Sequence, residues 1–335
     1  MKNKKMKLKI SIFLMGVFIL VSIITFPLYV FYGPFKDVRD MVVGLSMSTT
    51  HYQFVAKMFL SDKEIQDILD SANIQNNVTK DISVSKEAVA AIAPIEVDTT
   101  DSDIETIEVT TNKFNGTAII IKDPTRVKIG YSKKLGEVGE TVSSMAKRYG
   151  AIVAINGGGY KDVSNAGYSG GNGGVPIGIL ISEGKILSPT NSLDYSKVES
   201  SVFAIDSSGK AFVGEASAQD LVDKGYMEAI SFSPTLVVNG KPYISETTLH
   251  GINPRTAIGQ REDGSIIMLV IDGRRGLKFG ATLEQVQEVM IRLGAVNAMC
   301  LDGGGSSVMY YDGEVINNPS NLTGERCVPD IIYVK

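Results

Sequence analysis

The chain has 335 residues, 44% of them hydrophobic and 21% charged, with a formal net charge of −4. That is the composition of a folded protein with room for one large domain or two ordinary ones. It carries no basic stripe beyond its N-terminus, so nucleic acid is not an expected partner. Its only histidines are His51 and His250, which excludes a His-rich zinc site on ligand supply alone.

The N-terminus opens with Lys2, Lys4, Lys5, Lys7 and Lys9, and no charged residue follows from Ile10 to Phe35. Such a run covers the roughly 20 apolar residues needed to cross a bilayer and is too long for a signal-peptide core. The lysines on one flank predict a single-pass anchor at 10–35, with tail 1–9 in the cytoplasm and the bulk of the chain outside. Residues 36–104 read as a juxtamembrane stalk or linker. Within them SDKEIQDILDSA predicts a short amphipathic helix, with Ser61 and Glu64 spaced as a capping box. His51 reads as a packing residue rather than a base.

From about residue 105 to 335 the pattern becomes that of one dense domain. IETIEV, TAIIIKD and VKIGYS predict strands. GETVSSMAKRYG predicts a helix closed by Gly150, and the strand AIVAIN follows it. SPTLVVNGKPYI carries the Asn239-Gly240 turn of a hairpin, and Asp263-Gly264 and Asp312-Gly313 repeat the signal. TLEQVQEVMIRLG predicts a helix with Thr282 as N-cap, Gln285 completing a capping box and Gly294 at its end. Many short strands and two or three helices predict an α+β (mixed α/β) domain whose sheet is largely antiparallel or mixed.

One device recurs: a short apolar strand ends in a polar residue and then glycines. It occurs at Asn156 before Gly157, Gly158 and Gly159, and at Asp302 before Gly303, Gly304 and Gly305, with Ser306 and Ser307 next. A third strand ends at Asp272-Gly273, followed by Arg274 and Arg275, and GINPRTAIG places Arg255 at the start of the strand paired with it. A lone Asp-Gly at a strand end is more often a turn, and a lone Arg more often structural. Together, two carboxylates, a guanidinium and backbone N–H nests suit a sugar-phosphate or another anionic substrate. Two carboxyls can divide acid, base and nucleophile roles at an anomeric carbon, and Arg can hold a phosphate. Gly157, Gly158, Gly303, Gly304, Ser306 and Arg274 are the expected substrate-binding residues around that centre.

INGGGY at 155–160, NPRTAIG at 253–259, DGR at 272–274 and LDGGGSS at 301–307 resemble the ordered signature of the phosphodiester glycosidase family. GETVSSMAKRYGA and GERCVPD extend the likeness over about 105–335. That family contains the lysosomal uncovering enzyme and bacterial proteins labelled exopolysaccharide biosynthesis proteins. The resemblance implies hydrolysis of a sugar-1-phosphodiester to the free sugar and a phosphomonoester. It carries Asn156, Arg255, Asp272 and Asp302 as catalytic candidates: Arg255 on the phosphate, the two aspartates sharing the acid–base or nucleophilic work, and Asn156 orienting a sugar hydroxyl or the bridging oxygen. Gly159 departs from it, standing where the family often has a bulky aromatic.

No cofactor is expected. A divalent cation on Asp272 and Asp302 is the rival reading, a metal-dependent phosphodiesterase. The non-enzymatic rival is a glycan-phosphate binding protein in exopolysaccharide or teichoic-acid assembly. Outside the cell, Cys300 and Cys327 are candidates for one disulfide, against the alternative of two buried thiols.

Overall fold

Alternating apolar residues from Ile104 onward assemble into antiparallel sheets in the computed structural model. It describes residues 2–34, 36–47, 53–68, 93–97, 103–111, 114–161, 173–189, 199–244, 251–273, 280–321 and 324–335. The chain divides into two compact units, one of residues 1–75 with 248–250, the other of 76–247 with 251–335.

In the first unit α1 (Lys2–Tyr32) is followed by α2 (Lys36–Met47), α3 (Gln53–Lys57) and α4 (62–68). Residues Phe13–Tyr32 of α1 are long and apolar enough to cross a membrane. The other helices lie in the segment that reads as a linker, and they have a small core of their own. Val43, Ala56, Leu60, Ile65 and Ile68 pack with Val30 and Phe31 at the end of α1, and the Phe31 and Phe59 rings stack at 4.7 Å. The Ser61–Glu64 capping box forms as its spacing predicts, with bonds of 2.8 and 3.3 Å.

The second unit contains three principal sheets. The eight-stranded sheet runs β1 (Ala93–Val97), β2 (Ile104–Thr110), β3 (Asn115–Ile121), β16 (Ile266–Ile271), β15 (Arg255–Arg261), β17 (Ala295–Leu301), β13 (Thr235–Val238) and β14 (Lys241–Pro242). Its first strand thus lies upstream of residue 105. A five-stranded sheet runs β11 (Ala211–Ser217), β10 (Glu199–Asp206), β12 (Tyr226–Ser231), β8 (Leu180–Ser182) and β9 (Lys185–Ser188). The other five-stranded sheet runs β19 (Glu314–Val315), β18 (Met309–Tyr311), β5 (Val153–Asn156), β20 (Asp330–Val334) and β4 (Val127–Tyr131). Strands β6 (Tyr160–Lys161) and β7 (Val175–Pro176) form a separate pair. The described pairings in the large sheet are antiparallel, including β15 with β16 and β17, as in the expected α+β class.

All three sheets turn one face to a common core. Ile119, Ile121, Met268 and Met299 come from the large sheet, Leu180, Phe203 and Ile230 from the second, and Ile129, Ile155 and Ile332 from the third. Each of the three outer faces is covered by one helix. Helix α7 (Leu283–Arg292) lays Leu283, Val286, Val289 and Met290 on the large sheet. Helix α5 (Val142–Tyr149) covers the β5–β20 sheet with Val142, Met145 and Ala146. Helix α6 (Ala218–Asp223) covers the β10–β12 sheet through Ala218 and Leu221. Burying one such aliphatic side chain contributes about 1.5–3 kcal/mol, so these stripes fix which face each helix presents.

The turns follow their chemistry with one exception. Asn239 and Gly240 both take positive φ, as do Asp312 and Gly313, so each pair closes a two-residue hairpin. At 261–265 only Gly264 does. The β15–β16 loop is longer there, closed by Arg261 N–H to Ser265 O and by Ser265 N–H to Asp263 Oδ1.

Thr282 Oγ1 accepts from Gln285 N–H at 3.3 Å, and the Gln285 side chain accepts from Thr282 N–H at 3.0 Å. This capping box starts α7 immediately after Ala281, whose carbonyl holds Arg255. Thr282→Ala is expected to cost about 1 kcal/mol of unfolding free energy. Urea denaturation measures it, and an unchanged midpoint would show that the cap is not coupled to the domain.

Candidate active site

The registers Arg255↔Ile271 and Thr256↔Leu301 set Arg255, Asp272 and Asp302 at the same end of three adjacent strands. Arg255 is pinned from two sides, its Nε donating to Ala281 O at 3.2 Å and its Nη2 to Gly251 O at 2.8 Å. Asp272 Oδ1 accepts from Asn317 Nδ2 and from Asn318 N–H, both at 3.0 Å. Asp302 is half-buried, and its Oδ1 accepts from Gly303 N–H at 3.0 Å. Asn317 sets this edge further by donating to Ser307 O and accepting from Met309 N–H.

The neighbouring sheet meets these strand ends through Asn156, the last residue of β5, whose exposure is 0%. Its Nδ2 donates to Asp302 O at 2.6 Å, and its Oδ1 accepts from Thr256 Oγ1 at 2.8 Å and Val308 N–H at 3.2 Å. Gly157 O accepts from Asp302 N–H at 3.1 Å, which makes a second tie between the same two loops. This placement corrects the expected role of Asn156 in orienting a substrate oxygen: it is buried, and both its amide atoms bond to protein groups. Asn156 is a positioning residue.

The glycines are required by close approach. A Cβ on Gly157 would stand 2.1 Å from Asp330 Oδ1, one on Gly158 2.8 Å from Ser231 O, and one on Gly303 2.9 Å from Pro254 O. Gly304, at φ +63°, donates its N–H to that same Pro254 carbonyl. Ser306 is buried and its Oγ lies 3.3 Å from the Tyr160 hydroxyl, linking the two glycine loops. The space a side chain at 159 would take adjoins the ring of Phe232, 3.3 Å away. Arg274 lies outside the described residues, as do His51, His250 and most of the 161–176 loop.

Two residues of GERCVPD belong to this centre and escape the motif-by-motif reading. Asp330, 1% exposed, begins β20 and accepts Gly158 N–H on its Oδ1 at 2.7 Å. Burial pushes its carboxyl up to about 7, against the opposing pull of the Gly158 N–H, and the nearby charge of Asp302 raises it further. Arg326 places its guanidinium 5.3 Å from the centre of the Tyr160 ring. Both residues join the centre through contacts distant in sequence, Asp330 through the pairing of β20 with β5 and Arg326 through the Tyr160 ring.

The disulfide is a correction: both cysteines are free. Cys300 points into the core under α7, where burial pushes its thiol up to about 12 despite the charge of Arg255. Cys327 lies half-buried, and burial raises its thiol, with the charges of Glu325 and Glu140 adding to the shift. Among the described residues no group of three or more His, Cys, Asp or Glu side chains is arranged to hold a metal ion.

Because the Asp330 carboxyl titrates near 4 when unfolded and at about 7 when folded, the folded state holds the extra proton in that window. Stability from this group is therefore present at low pH and lost as pH rises through about 7. Glu228, buried and also pushed up to about 7, adds a loss of the same sign. Asp330→Asn keeps an acceptor for Gly158 and is expected to flatten the fall in thermal midpoint between about pH 5 and pH 8. An identical pH profile in the variant would contradict the assignment.

A phosphodiester glycosidase family model matches residues 149–335, a span that includes Asn156, Arg255, Asp272, Asp302, Arg326 and Asp330. The chain is 34% identical over 217 residues to the SPbeta prophage-derived uncharacterized protein YomE of Bacillus subtilis, covering 63% of this chain and 31% of that one. It is 26% identical over 199 residues to bovine N-acetylglucosamine-1-phosphodiester alpha-N-acetylglucosaminidase, covering 54% and 35%. It thus spans about a third of the length of these relatives. The catalytic domain of the zebrafish N-acetylglucosamine-1-phosphodiester alpha-N-acetylglucosaminidase shares the fold, with TM-score 0.57 at 22% identity over 73% of this chain and 88% of that one. A Burkholderia pseudomallei exported protein does so at TM-score 0.51 and 16% identity, over 68% and 74%. With a family model matched over more than half of its length, the chain belongs to the phosphodiester glycosidase family.

Proposed function

We propose that this chain is a membrane-anchored hydrolase that cleaves the C1–O bond of a sugar-1-phosphodiester outside the cytoplasmic membrane, in cell-surface polysaccharide or teichoic-acid metabolism. The observation that carries the reading is the meeting of Asp272, Asp302 and Arg255 at adjacent strand ends, against the glycine loop after Asn156. Arg255 holds the phosphate. One aspartate delivers a proton to the departing phosphate oxygen as the C1–O bond breaks. The other takes the proton of the incoming water, or forms a glycosyl bond that water then opens. In both routes the water oxygen ends on C1 and the phosphate departs as a monoester. Phosphate is a far better leaving group than an alkoxide, so cationic stabilisation by Arg255 does more there than proton donation. Asn156, through its bond to the Asp302 carbonyl, holds the carboxyl-bearing loop in place.

The names of the bovine and zebrafish relatives suggest N-acetylglucosamine as the first sugar to try. The apolar stretch of α1 supports the anchor, and the lysines in its first turns support a cytoplasmic N-terminus with the sheet domain outside.

Release of free sugar from a panel of sugar-1-phosphodiesters, beginning with N-acetylglucosamine, tests the proposal. Asp302→Asn is expected to lower kcat by about 10²–10⁴-fold with cooperative unfolding retained. Full activity in that variant would overturn the assignment. Turnover is expected to persist in excess chelator, and its loss there would favour the metal-dependent phosphodiesterase.

A further inference from the structure

We propose that Arg326 is a specificity-determining residue of this site, a second guanidinium that grips the phosphate of the substrate opposite Arg255. The inference rests on the sugar-phosphodiester reading above and extends it to a residue outside the strand-end motifs.

Three observations place Arg326 there. Its Cδ lies 3.9 Å from where a Cβ on Gly305 would stand, and the Cδ of Arg255 lies at the same 3.9 Å from that of Gly303. The two arginine stems therefore flank one glycine turn, the turn that follows Asp302. The Arg326 guanidinium lies over Tyr160, the residue that follows the first glycine loop, and the Tyr160 hydroxyl reaches Ser306 on the second. Arg326 thus stands at the junction of both loops.

The segment that carries it is anchored on both sides. Glu325 accepts Ser143 N–H at 2.9 Å at the start of α5, where a carboxylate also meets the positive end of the helix dipole, and its other oxygen accepts the Ser143 hydroxyl. Val328 exchanges backbone hydrogen bonds with Glu140, at 2.9 and 3.0 Å. A side chain held between two such anchors loses little further freedom when it binds a ligand.

The Tyr160 ring holds the guanidinium by cation–π attraction, and a guanidinium keeps its N–H donors in one plane as a fork that suits bidentate oxyanion recognition. One cation suffices to neutralise a phosphodiester, which carries a single negative charge. The developing monoester carries more, and a second guanidinium serves that charge as the C1–O bond breaks. Arg326 therefore selects for a phosphate on the leaving side of the sugar.

Calorimetric titration of the full chain with inorganic phosphate, alongside the sugar-release assay, tests this. Arg326→Met keeps the stem against Gly305 and removes the charge, and Arg326→Lys restores a charge without the planar fork. Arg326→Met is expected to weaken binding of inorganic phosphate by on the order of ten- to a hundred-fold and to lower kcat for the phosphodiester by a similar factor with a smaller change in KM, with Arg326→Lys between it and the wild type. Tyr160→Leu, which leaves the charge but removes its platform, is expected to weaken phosphate binding in the same direction. Wild-type phosphate affinity in a folded Arg326→Met variant would overturn the proposal, as would a wild type that binds no phosphate. Arg326-dependent phosphate binding in a chain that releases no sugar would support this assignment and sink the hydrolase reading instead.

Discussion

Asn156 fastens the ends of two sheets to each other, and the geometry of the site depends on that tie. One buried amide donates to Asp302 O and accepts from Thr256 and Val308, so β5, β15, the end of β17 and the approach to β18 share a single side chain. A buried polar group with all its partners in place specifies one arrangement. The same group with a partner missing would incur a desolvation cost of about 1–3 kcal/mol. The tie explains why the glycines crowd here. Once the two loops are drawn together, Gly157 has no space for a Cβ beside Asp330, nor Gly303 beside Pro254. These glycines permit close packing of backbone on backbone, and any part they play in ligand approach follows from that packing.

The tie also concentrates charge. Asp302 and Asp330 flank Gly157 and Gly158, and Arg255 and Arg326 flank Gly303 and Gly305. Burial makes ionisation of Asp330 costly, and the Asp302 charge adds to that cost. Below about pH 7 the Asp330 carboxyl therefore keeps its proton, beside the glycine loop that it holds through Gly158.

Much of this was legible in the sequence wherever a local rule decided the outcome. Thr282 and Gln285 make their capping box, Gly150 ends α5 in the left-handed conformation, and Asn239-Gly240 and Asp312-Gly313 close hairpins because few other pairs tolerate positive φ twice. The Asp263-Gly264 signal is the counterexample, where Ser265 and Asp263 build a longer loop. Non-local features were not legible. Asp330 belongs to the centre only because β20 pairs with β5 in the register Ile331↔Asn156, and no periodicity reveals which strand will lie beside another. Arg326 was hidden for the same reason, since its ring partner is far away in the chain. Asn156 looked like a ligand-facing residue because strand-end polar groups often are. Its burial is a property of the sheet that closes over it. The cysteines flank one glycine loop in sequence, yet Cys300 faces the core beneath α7.

Glycosidic cleavage at these strand ends brings water to the sugar carbon and leaves the phosphorus untouched. Turnover of a sugar-1-phosphodiester in ¹⁸O-labelled water reads this directly by mass spectrometry of both products. The label is expected in the free sugar, with none in the phosphomonoester. Label in the phosphate, with the sugar unlabelled, would contradict it and make the same strand ends the site of a phosphodiesterase.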